Sequence, residues 1–172
     1  EVHWRSATLA NVQAIVETSV VGPAEVTKST LVEKLAGYGE IIADYHKIQP
    51  PDVLVAISVS GNNAVTIDLA RECQKRGVKV IVITAVEYSD YLKARHPDGL
   101  KLKDCADVVL DSCCLIGDAA IEIEGFDTKV GPVSTIPGVY LIDAMLAQTV
   151  ENLQKDGFQP DVYFNGNLGA NS

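Results

Sequence analysis

Apolar and polar positions along the chain fall into short continuous apolar runs separated by stretches of helical period. Four runs read as strands, at about Asn11 to Val16, Val53 to Ser58, Val78 to Thr84 and Asp107 to Asp111. VLVAIS and VKVIVIT are unbroken and rich in β-branched residues, as strands buried on both faces of a parallel sheet are. Between them, Val65, Leu69 and Cys73 fall at i, i+4 and i+8 of a helix predicted over Asn62 to Arg76, with Lys75, Arg76 and Gly77 as its stop and Asn62 or Asn63 as its cap. Further helices are predicted over Lys28 to His46 and Ile136 to Lys155, the latter with Leu141, Ile142, Met145, Leu146 and Val150 in one stripe and Pro137 in its first turn.

This order predicts an α/β fold: a flavodoxin-like, doubly wound parallel sheet in three α/β/α layers, with helices on both faces. Ligands of such sheets bind beyond the carboxyl ends of the strands. The polar segment from Glu87 to Lys103 reads as a surface excursion, and the small, polar tail NGNLGANS as frayed.

Composition restricts the function classes. The 172 residues, 47% hydrophobic and 22% charged, suit one globular domain. A formal charge of −9 opposes binding of nucleic acid, so any anion must be held locally. No apolar run approaches the ~20 residues that cross a bilayer, and the start EVHWRSATLA lacks a signal-peptide layout, which places the chain in the cytoplasm. Cys73, Cys105, Cys113 and Cys114 have neither CxxC spacing nor a histidine at ligand spacing, so no metal or cofactor is expected and the thiols read as reduced and structural.

The chemistry concentrates at SVSGNN, residues 58 to 63, where a strand passes into a helix. Gly61 lets the backbone approach a ligand, Ser58 and Ser60 offer hydroxyls, and the helix start offers unpaired N–H groups, a combination that holds phosphate without Lys or Arg. The same residues also suit a plain cap and turn. Neither GxxxxGK[ST] nor a GxGxxG after a strand is present, so mononucleotide and dinucleotide sites lack support. A second hydroxyl-rich helix start, GPVSTIPG, carries Ser134 and Thr135.

With the strand ending in SxSGxN, the following VKVIVIT strand and the later GPxST helix, the chain resembles the SIS (sugar isomerase) domain family of phosphosugar isomerases and phosphosugar-binding proteins over nearly its whole length. EYSDYLKARHPDG, GDAAIEIEG and KVGPVSTIPG resemble uncharacterised bacterial SIS proteins related to N-acetylmuramic acid phosphate etherases. The resemblance implies a homodimer or higher homo-oligomer and a sugar phosphate seated on Ser58, Ser60, Gly61 and Asn62, with Ser134 and Thr135 beside it. It also implies that residues 1–172 form one SIS domain lacking the family's N-terminal helix and first strand, with Asn11 to Val16 as the second strand. A strand from a longer chain or from a partner, or a rearranged strand order, is then expected to fill the place beside VLVAIS.

Aldose–ketose isomerisation needs an acid and a base. Glu122 and Glu124 follow the last core strand, where the resemblance places a catalytic glutamate, although IEIE also suits an exposed edge strand. His96 is a third candidate. An etherase-like lyase, for which Glu25 stands closest to the expected position, and a non-catalytic sugar-phosphate sensor remain alternatives.

Overall fold

The computed structural model describes residues 5–20 and 26–168, and these fall into two compact units, Val16–Pro137 and Glu1–Ile15 with Gly138–Ser172. Glu25 and the last four residues of the tail lie outside the described residues.

The first unit holds a parallel sheet in the order β1 (Val53–Ile57), β2 (Lys79–Thr84), β3 (Val108–Asp111). Leu54 pairs with Val80 and Ala56 with Val82, while Val82 pairs with Val109. Pairing in register puts these side chains on one face, and Leu54, Ala56, Val80 and Val82 are all buried. Helix α3 (Ala64–Lys75) connects β1 to β2 and packs against both strands, with Val65, Ile67, Leu69, Ala70 and Cys73 buried. This is the α/β arrangement that the continuous β-branched runs predict: a parallel sheet flanked by helices. The opposite face is only half closed within this unit, since Val53, Ile57 and Val108 stay about half exposed.

Three local expectations change. Residues 11–16 join neither sheet among the described residues, and β1 pairs with β2 alone. None of the six is buried, so the alternation NVQAIV has no core to pin it against. The helix predicted over Lys28 to His46 is two helices, α1 (Val26–Val32) and α2 (Tyr38–Tyr45). They break at Gly37, whose φ of +85° suits glycine and whose N–H donates to Asp68 Oδ2 at 2.6 Å. Two residues on, Gly39 brings the α2 backbone against α3, where an added Cβ would stand 2.3 Å from both Leu69 N and Val65 O.

The stretch from Glu87 to Lys103 is not a surface excursion. It contains most of α4 (Val86–Tyr91), leads into a 3-10 turn (Leu102–Cys105), and buries Ser89, His96 and Leu102. Burying a side chain such as Leu102 contributes roughly 1.5–3 kcal/mol, which holds the stretch to the core despite its polar composition. Beyond β3, an antiparallel pair, β4 (Ala119–Ile121) with β5 (Val130–Pro132), leads to the start of α5 (Thr135–Lys155).

In the second unit, α5 continues to Lys155, where it matches the predicted helix. Ala7 N donates to Tyr163 O at 2.7 Å and Tyr163 N to Thr8 O at 2.9 Å, closing a bridge between Leu9 and Val162. A cavity of about 620 Å³ lies between residues 5–9 and the α5 face of Val139, Asp143, Leu146, Ala147 and Val150. No helix among the described residues is long and apolar enough to cross a membrane.

Candidate functional site

The polar break at the end of β1 is anchored to the sheet before it turns. Ser58 N donates to Ile83 O at 3.0 Å, and the Val59 carbonyl accepts from Ala85 N at 3.0 Å and from Thr84 Oγ1 at 3.1 Å. Gly61 then takes φ +59°, with its N–H on Ser58 Oγ at 3.2 Å and its carbonyl accepting from Leu102 N at 2.8 Å. A Cβ on Gly61 would meet Thr84 Oγ1 at 3.1 Å and Ser89 Oγ at 3.2 Å, so both conformation and space require glycine there.

Asn63 is the N-cap of α3, and no side chain caps the helix. Glu33, just beyond α1, takes the Val65 N–H on its carbonyl at 3.1 Å. A helix start without a side-chain cap, beside partly exposed Ser58 and Ser60, is a place at the sheet's carboxyl end where an anion is favoured.

Asn62 serves differently from a cap or a ligand contact. It is 2% exposed, and its amide is spent on the later chain: Nδ2 donates to Lys93 O at 2.9 Å and Oδ1 accepts from Arg95 N at 3.0 Å. His96 is also internal. Its Nε2 donates to Asp68 Oδ1 at 2.9 Å, and its Nδ1 accepts from Asp98 N at 3.2 Å. Both ring nitrogens are therefore engaged, and the ring sits behind the site as a tie rather than in it.

The second hydroxyl-rich helix start is occupied by the protein's own carboxylate. Asp118 Oδ1 accepts from Ser134 N at 2.8 Å and Val133 N at 3.1 Å, and Oδ2 accepts from Ser134 Oγ at 2.7 Å. Asp118 adopts φ +61° to reach them. Thr135 opens α5 and is exposed. Glu122 and Glu124 follow β4 in the open: Glu122 pairs with Lys129 at 2.7 Å, which holds its carboxyl below the usual range, and Glu124 is exposed. The structure brings neither of them to the Ser58–Asn62 loop by any hydrogen bond or ion pair among the described residues.

Glu33 is the acid that the sequence did not single out. Burial pushes its carboxyl above the ordinary range, opposed by the charges of Lys34 and Arg95, and its main-chain carbonyl sits at the first turn of α3. No local pattern marks it, because beyond its neighbour Lys34 its contacts come from Val65 and Arg95, more than thirty positions away.

The protein is a SIS-domain protein: a SIS domain matches residues 1–85, through β1, the serine loop, α3 and β2. The chain belongs to the UPF0309 family. It is 32% identical over 168 residues to a UPF0309 protein of Listeria monocytogenes, covering 98% of this chain and 68% of the relative. Against relatives from Halalkalibacterium halodurans and Oceanobacillus iheyensis it is 33% and 36% identical, covering 98% and 83% of this chain and 69% and 58% of theirs. SIS domains bind phosphosugars.

Proposed function

We propose that the protein binds a sugar phosphate with its phosphate on Ser58, Ser60, Gly61 and the first turn of α3. The observation that carries this reading is the α3 start without a side-chain cap, set directly behind two serines and a left-handed glycine. Phosphate accepts several N–H and hydroxyl bonds at once, and the helix dipole adds to them without a cationic side chain. In the same reading Asn62 shapes the seat from behind. The half-open sheet face at Val53, Ile57 and Val108 supports the homo-oligomer that the resemblance implies.

Proton transfer between adjacent sugar carbons, as in an aldose–ketose isomerase, needs a carboxyl held close to the seat with a pKa nearer neutrality. Glu33 fits that task better than Glu122 or Glu124, which are exposed, or His96, which is fully hydrogen-bonded.

Titration calorimetry with sugar phosphates tests the seat. Ser60→Ala is expected to weaken binding by about 1–3 kcal/mol, the value of a hydrogen bond to a charged group. Unchanged affinity in that variant removes the loop from the site.

A further inference from the structure

We propose that Arg95 sets the specificity of this site, and that the ligand is a sugar phosphate carrying a second acidic group. The proposal rests on the reading of the Ser58–Gly61 loop as the phosphate seat.

Residues 93–98 form neither helix nor strand, yet three side chains on or just before α3 pin them at four residues. The buried Asn62 amide grips the main chain at Lys93 and Arg95, Asp68 holds His96, and Arg71 pairs with Asp98. An amide bonded through both its atoms fixes position, so the Arg95 backbone stands beside the loop as firmly as a regular element would. The side chain is left exposed. The Arg95 N–H lies 3.0 Å from Asn62 Oδ1, and Asn62 directly precedes the N-cap of α3, so the guanidinium's stem starts at the same helix end as the seat.

Of the arginines in the first unit, Arg71 and Arg76 each pair with a carboxylate, whereas Arg95 forms no ion pair among the described residues. The hydroxyls and helix amides suffice for a phosphate, leaving the guanidinium fork for a further carboxylate or phosphate, to which its geometry is matched.

Three probes test this by calorimetry: glucose 6-phosphate, 6-phosphogluconate and fructose 1,6-bisphosphate. The wild type is expected to bind at least one doubly acidic probe about tenfold or more tighter than glucose 6-phosphate. Arg95→Ala is expected to abolish that preference while leaving glucose 6-phosphate affinity unchanged, whereas Ser60→Ala weakens all three alike. Absence of a preference in the wild type, or an equal loss for all probes in Arg95→Ala, overturns the role of Arg95 and leaves the phosphate seat standing. Failure of the wild type to bind any of the three overturns both readings.

Discussion

His96 donates its Nε2 hydrogen to Asp68 at 2.9 Å with both side chains almost wholly out of water, and the second oxygen of Asp68 accepts the N–H of Gly37. One carboxylate thereby joins the break between α1 and α2, helix α3, and the stretch that carries Arg95. Removing the imidazole leaves a buried carboxylate short of a partner, and His96→Ala is expected to cost about 3 kcal/mol of stability. Urea unfolding of the variant checks this; a loss well below 1 kcal/mol means the ring is not a structural tie.

Glu33 gives a pH signature. Its folded-state pKa is raised, chiefly by burial, so the advantage of the protonated form is full below the ordinary glutamate value and is lost as pH rises through the raised one. Glu33→Gln is therefore expected to melt higher than the wild type at about pH 8 and to lose that advantage toward about pH 4. Thermal melts across this range decide it, and an offset that does not change with pH argues against burial of the charge.

Thiol reactivity separates the four cysteines. Cys73, Cys105 and Cys114 are buried, and burial pushes the Cys73 thiol up to about 11, whereas Cys113 is exposed. An aromatic disulfide reagent is expected to modify Cys113 alone in the native protein and all four after unfolding. Rapid native labelling of Cys73 or Cys105, read by mass spectrometry, contradicts the packing of α3 and the 3-10 turn.

The parallel strands and α3 were legible because their signal is local: unbroken β-branched runs for the strands of a parallel sheet, and a four-residue apolar spacing for the helix between them. The loop at Ser58 was legible for the same reason. What could not be read was set by distant partners. Gly37 breaks a helix pattern where the Asp68 carboxylate, 31 residues later, takes its N–H. Asn62 has the composition of a cap, yet it bonds to residues 31 and 33 positions on. His96 lies in a polar run that looks solvated, and only the partner on α3 makes it internal. Glu33 gains its raised pKa from the fold alone.

The carboxylate at the start of α5 has a stoichiometric consequence. The chain has two hydroxyl-rich helix starts of similar appearance, but Asp118 already serves as the resident anion of one, filling Ser134 and the adjoining amides. Among the described residues, the start of α3 has no such side-chain carboxylate on it. A titration with inorganic phosphate should therefore saturate at one equivalent per chain, and Asp118→Ala would open a second class of sites where the intact protein has none.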